Sequence, residues 1–122
     1  MDEDHVLIIM TSGPDTPRRC ATPFFFASLA AAMDYGVTMF FTIDGTLLLK
    51  KGMAETVYPK EGGKPVSDFL QDALEAGVEF LACTASTELH DLNPEDLIEQ
   101  KKMVGGATMW QVAEDSKIVL TF

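Results

Sequence analysis

The sequence predicts an α/β fold: a three-layer sandwich built on a mostly parallel five-stranded sheet. Three observations predict it. Val6-Leu7-Ile8-Ile9-Met10-Thr11 is a continuous apolar run, as a strand buried on both faces requires. The punctuation helix, Gly, Val, strand occurs twice, at Tyr35-Gly36-Val37 and at Ala76-Gly77-Val78, which is the rhythm of βαβ units. The chain has 122 residues, of which 47% are hydrophobic, so residues 1–122 are expected to form one domain around an ordinary core.

The elements follow in order. Ser12-Gly13-Pro14-Asp15 breaks the first strand as a turn. A helix then starts either at Thr16-Pro17 or at Thr22-Pro23, with proline at a first-turn position where its missing N–H is harmless. It is expected to run to about Tyr35, with Gly36 as its stop. Phe24, Phe25, Phe26, Leu29, Ala30 and Met33 cover more than one stripe of it, so it is expected to be buried on two sides, the second against another subunit through Phe24 and Phe25. Val37–Ile43 is the second strand, closed by Asp44-Gly45, and Leu47, Leu48 and Leu49 ride on a short helical turn. Gly52–Lys64, with Pro59 and Gly62-Gly63, is expected to be a mobile loop. Pro65 opens an amphipathic helix whose Val66, Phe69, Leu70, Ala73 and Leu74 share one face, and Gly77 ends it. Val78–Ala82 is the third strand, Pro94–Gln100 a helical turn, Met103-Val104 a short fourth strand, Ala107–Glu114 a helix and Lys117–Phe122 the last strand.

Composition excludes several classes. A net charge of −10 argues against counterion-release binding to nucleic acid and against docking on anionic lipid. No apolar run approaches a membrane span, and the acidic start Met1-Asp2-Glu3-Asp4 has the wrong sign for a secretory signal, so a cytoplasmic location is expected. Two cysteines, Cys20 and Cys83, do not make a disulfide scaffold. No glycine-rich nucleotide motif and no G-x-S-x-G occurs. Cys83, His90 and Asp91 lack a paired metal-ligand spacing, and His5 and His90 are expected to be solvent-exposed or capping residues.

In parallel sheets, sites gather at the carboxyl ends of strands. That rule selects Thr11–Asp15, Asp44-Gly45, and Cys83 with the residues after it. Cys83 follows the third strand directly and precedes Thr84-Ala85-Ser86-Thr87-Glu88-Leu89, a helix start whose N–H groups and hydroxyls would stabilise a thiolate. A cysteine there is equally at home as a small buried apolar residue. Cys20 has a comparable address, beside Arg18 and Arg19, which would favour its thiolate if they folded toward it. If the strand order ran 2-1-3, the two cysteines would lie at neighbouring strand ends and could pair.

The ordered set of segments resembles the DsrE/DsrF-like family, which includes sulfur-relay proteins such as DsrE and TusD. Four pieces carry the resemblance: Val6–Asp15 leading into Ala27-Ser28-Leu29-Ala30-Ala31-Ala32; Val37–Gly45; Gly77–Cys83; and Lys117–Phe122. The resemblance implies that Cys83 carries a persulfide and exchanges its sulfur with carriers that are TusA-like or rhodanese-like, in tRNA thiolation or sulfur oxidation. It also implies a homotrimer or homohexamer and a sulfurtransferase chemistry that needs no metal or organic cofactor. Cys20 stands outside the family pattern as a candidate second thiol. Ser12, Gly13, Asp44, Thr84, Ser86, Gly105 and Gly106 are the expected lining of the site. Two other readings stay open: a thiol redox protein using Cys83 and Cys20, and a non-catalytic oligomeric binding subunit.

Overall fold

The computed structural model describes residues 4–122; Met1, Asp2 and Glu3 of the acidic start lie outside the described residues. Five strands, β1 (His5–Met10), β2 (Gly36–Phe41), β3 (Glu79–Cys83), β4 (Lys101–Val104) and β5 (Ile118–Thr121), form one sheet in the order β4-β3-β2-β1-β5. Every pairing is parallel. The fold class is the one the sequence predicts. The order 2-1-3 does not occur, however: β2 lies between β1 and β3, so the ends of β1 and β3 are not neighbours.

The order also dictates the layers. From β1 to β4 the chain steps one way across the sheet, and right-handed crossovers then put the connecting helices on one face. Helices α1 (Thr22–Ala32) and α2 (Val66–Glu75) lie there, packing Phe24, Ala27, Val66, Leu70 and Ala73 against Ile8, Met39, Phe41 and Phe80. The step from β4 to β5 runs back past β1, so its helix α4 (Gly106–Glu114) covers the opposite face, where Leu7, Phe40, Leu81 and Cys83 meet Val104, Met109 and Val112. Alternate residues of β1 to β4 therefore serve the two cores, as the twofold side-chain period requires.

The first helix differs from expectation at both ends. Pro17–Arg19 is a separate 3₁₀ turn and α1 begins at Thr22, which leaves Cys20 just ahead of it. Asp34, not Gly36, takes the left-handed conformation that ends the helix, at φ 70°, and Gly36 already pairs with His5 in the sheet. Phe24 is wholly buried and makes ring contacts with Phe41 and Phe80, so it is a core residue and not an interface residue. The outer residues are Phe25, Phe26, Leu29 and Met33, all exposed. Gly52–Lys64 was expected to be mobile throughout, but Ala54–Thr56 forms a 3₁₀ turn and Ala54 and Val57 are buried in the core. The 3₁₀ turn at Pro94–Asp96 leads to Leu97, which is buried and bridges to Lys50.

Candidate functional site

Cys83 is the last residue of β3 and the residue on which the six-residue helix α3 (Thr84–Leu89) starts, with extended backbone angles of φ −71° and ψ 117°. It is 9% exposed, so its sulfur sits at the surface edge of the thinner core. Burial pushes its thiol pKa up, but hydrogen bonds more than reverse this: the Ser86 hydroxyl and N–H, the Thr42 hydroxyl and the Ala85 N–H all favour the thiolate, and the pKa ends below the ordinary 9.0. The expected hydroxyl donors are thereby sorted. Ser86 is the neighbour that most favours the thiolate. Thr84 instead donates to the Val104 carbonyl at 3.1 Å, and Thr87 to the Thr84 carbonyl at 2.7 Å.

Thr42 was not foreseen. It follows β2, whose Phe41 pairs with Ala82, so the parallel register carries Thr42 alongside Cys83. Its hydroxyl lies 2.9 Å from that of Ser86, and the N–H of Ile43 donates to the same Ser86 oxygen at 2.7 Å. Ile43 holds φ +54°. For a β-branched residue this left-handed conformation costs on the order of 1–3 kcal/mol and persists only where the surroundings impose it.

Two glycines let the loops on either side of it pack closely. A Cβ on Gly13 would stand 2.4 Å from the Asp44 carbonyl oxygen, and a Cβ on Gly45 would stand 2.2 Å from that of Met10. Only glycine lets the loops after β1 and β2 lie so close. This brings Gly13 and Asp44, two expected lining residues, into direct contact, with half-buried Ser12 beside them. Gly105 and Gly106 stand on the other side of Cys83, because Val104 is its partner in β4 and the two glycines follow it into α4, exposed and with open space around them. His90 closes the far end of α3, and its Nε2 sits 3.1 Å from an Asp44 carboxylate oxygen, without the alignment of a hydrogen bond. His5, by contrast, is half-buried at the opposite end of the sheet, 2.8 Å from the Thr38 hydroxyl.

Cys20 has a different setting. It is fully buried, and its thiol donates to the carbonyls of Gly13 at 3.2 Å and Thr16 at 3.4 Å. Burial pushes its pKa up from 9.0 to about 11. Arg18 and Arg19 do not fold toward it as thiolate partners; both are exposed and line an open cleft of about 480 Å³ with Asp15, Thr16 and Pro17. Both cysteines are free thiols. Among the described residues, no group of three or more His, Cys, Asp or Glu side chains converges as a metal site.

The model of the DsrE/DsrF-like family matches residues 4–122. The chain belongs to this family. Among curated proteins it is similar to the uncharacterized protein MJ0760 of Methanocaldococcus jannaschii, with 30% identity over 109 residues. That match covers 86% of the chain but only 38% of the relative's length. Among solved structures, the YchN protein of E. coli superposes with a TM-score of 0.81 at 16% identity, over 98% of this chain and 99% of that one. MTH1491 of Methanobacterium thermoautotrophicum, a protein of unknown function, gives 0.66 at 14% identity over 99% and 100%. BT1422 of Bacteroides thetaiotaomicron, likewise of unknown function, gives 0.68 at 10% identity over 96% and 94%. At such identities these likenesses bear on the fold alone. No helix among the described residues is long and apolar enough to cross a membrane.

Proposed function

We propose that the protein is a cytoplasmic sulfur carrier that accepts and passes on persulfide sulfur through Cys83. The observation that carries this reading is the setting of Cys83 at a partly open edge of the sheet, where neighbouring Ser86, Thr42 and Ala85 hold its thiol below the ordinary pKa against the opposing effect of burial. A Cys83 thiolate attacks the outer sulfur of a donor R–S–SH. The bond between the donor's two sulfurs breaks, R–S⁻ leaves, and Cys83–S–SH remains. An acceptor thiolate then attacks that outer sulfur, and Cys83 leaves as thiolate again. Neither step changes the net oxidation state, so neither calls for a metal or organic cofactor. Gly105 and Gly106, which follow Val104, the β4 partner of Cys83, and have open space around them, leave room for the partner's persulfide. The partners in this reading are TusA-like or rhodanese-like carriers.

Self-association as a homotrimer or homohexamer belongs to the same reading. All four residues of β5 are exposed, although a parallel strand ordinarily has both faces covered. With α1 it frames an apolar cavity of about 220 Å³, lined by Phe26, Leu29, Met33, Ile118 and Leu120 among others. Leu29→Glu is expected to lower the mass seen by sedimentation, whereas charge at buried Phe24 unfolds the chain.

The deciding experiment is intact-mass spectrometry after exposure to polysulfide, comparing wild type, Cys83→Ser and Cys20→Ser, with and without reductant. Reductant-sensitive gain of sulfur, lost only in Cys83→Ser, supports the carrier. Loss in both variants makes the cysteines a working redox pair. No gain in any sample leaves a non-catalytic binding subunit.

A further inference from the structure

We propose that the cleft on the loop between β1 and α1 binds the tetrahedral oxyanion of a small molecule, a phosphate-type group received by Arg18 and Arg19. The cleft measures about 480 Å³ and is lined by Asp15, Thr16, Pro17, Arg18 and Arg19. That volume falls within the roughly 300–1,000 Å³ of small-molecule sites. These two are the chain's only arginines; every other basic side chain, histidine apart, is lysine. The difference is chemical. A guanidinium presents planar donor pairs that match two oxygens of an anion at once, whereas an ammonium acts as a point charge. Both guanidiniums are also free to act. Among the described residues the ion pairs join Lys117 to Asp4 and His90 to Asp44, so no carboxylate there neutralises either arginine, in a chain of net charge −10. A carboxylate ligand offers two oxygens, enough for one guanidinium. Two guanidiniums on one cleft match an anion with three or more oxygens.

The backbone that carries them is fixed from several sides. The Gly13 carbonyl accepts the Thr16 N–H at 2.9 Å, the Thr16 hydroxyl at 3.3 Å and the Cys20 thiol at 3.2 Å. The Thr16 carbonyl accepts the Arg19 N–H at 2.9 Å and the same thiol at 3.4 Å, and the Pro17 carbonyl accepts the Cys20 N–H at 3.1 Å. Pro14 and Pro17 fix two further φ angles. Gly13 lies against the Asp44 carbonyl. Binding therefore orders two side chains and little backbone, which keeps its entropic cost low. This gives buried Cys20 its place: it ties the turn from within, and the arginines stand outside it. The position suits a ligand as well. Sites in parallel sheets gather beyond the carboxyl ends of strands, and this loop leaves β1 there. Asp15 is the opposing group. Its carboxylate lines the same cleft and lowers the affinity for any anion, so its removal acts in the opposite direction to removal of an arginine.

The test is titration of the full chain with sodium phosphate at constant ionic strength, followed by the NMR signals of the arginine Nε–H groups, which belong to Arg18 and Arg19 alone. Saturable shifts of both signals, with a Kd of about 1 mM or tighter, are expected. Arg18→Gln and Arg19→Gln are each expected to weaken binding about tenfold. Lys102→Gln removes the same charge from exposed β4 at the far edge of the sheet and is expected to leave binding unchanged. Asp15→Asn is expected to tighten it roughly two- to fivefold. Acetate is expected to bind at least about tenfold more weakly than phosphate. Absence of saturation, an unchanged Kd in the Arg18→Gln/Arg19→Gln double variant, equal weakening by Lys102→Gln, or acetate binding as tightly as phosphate overturns the proposal. Glycerol phosphate is titrated beside the inorganic ion: tighter binding of the ester assigns the cleft to an organic phosphate, equal binding to the free ion, and either supports the site. Oxyanion binding needs no reactive thiol, so Cys83→Ser is expected to bind phosphate as wild type does. Failure to gain sulfur from polysulfide and failure to bind phosphate are thereby separate results.

Discussion

Cys20 lies beyond the carboxyl end of a parallel strand and Cys83 at the end of another, each nearly or wholly buried, yet their surroundings have opposite polarity. Cys20 meets carbonyl oxygens, those of Gly13 and Thr16, and keeps its proton. Cys83 has Ser86, Thr42 and Ala85 beside it, whose donors favour the thiolate and draw its pKa below the ordinary value in spite of burial. Burial alone would raise both values. What separates the two thiols here is the polarity of the groups around them. Cys20 pins the loop after β1 from inside; Cys83 stands at the edge where that loop and the next one meet.

The largest expected effect is on reactivity. In the folded protein at pH 8, iodoacetamide should modify Cys83 at least about 100-fold faster than Cys20, because thiolate and access both favour it. In urea the two rates should converge. Comparable labelling of both cysteines in the folded state would break the comparison. Next comes the contact that links the two regions. Gly13→Ala forces a Cβ to within 2.4 Å of the Asp44 carbonyl oxygen and should cost about 2–3 kcal/mol in urea unfolding. Gly105→Ala, with nothing within 4 Å, should change stability little. Smaller again is Cys20→Ala, at about 1–2 kcal/mol for the lost packing, against less for Cys83→Ala at the edge.

The subtlest contrast is with pH. The Cys20 thiol is raised in the fold to about 11 from 9.0, so its contribution to stability is complete below pH 9 and is lost as pH climbs toward 11. Cys83 has the opposite sign: its contribution is present above pH 9 and is lost as pH falls through its lowered folded value. Chemical unfolding of wild type and Cys20→Ala between pH 8 and 11 should therefore give curves that converge as the pH rises. Parallel curves would show that Cys20 is not a buried neutral thiol.

Much of the fold was legible in the chain because its signals are local. The apolar runs of β1 and β2, the apolar face of α2 and the Gly77 stop need only neighbouring residues to be read. Cys83 was legible for the same reason, as a strand end running into a helix start. The rest depended on which strand lies beside which, and periodicity carries no record of strand order. Thr42 was missed because it reaches Cys83 from the adjacent strand, across 41 positions of sequence. The faces of α1 were misjudged because three consecutive phenylalanines give no periodic stripe, and only packing against Phe41 and Phe80 tells Phe24 from Phe25. Asp34 replaced Gly36 as helix terminator because aspartate tolerates the left-handed conformation well enough to leave the glycine for the sheet.

The pairing of β1 with β5 has a consequence for how the chain is made. Synthesis delivers β1 first and β5 last, and Thr11 locks them together by donating its N–H and its hydroxyl to the Phe122 carbonyl, each at 2.7 Å. While the ribosome is still working on the intervening hundred or so residues, one flank of β1 is a bare apolar ladder with no native partner yet made, the kind of edge that recruits other nascent chains. Chaperone dependence should accordingly be greatest just before β5 emerges, and should fall once those last residues clear the exit tunnel.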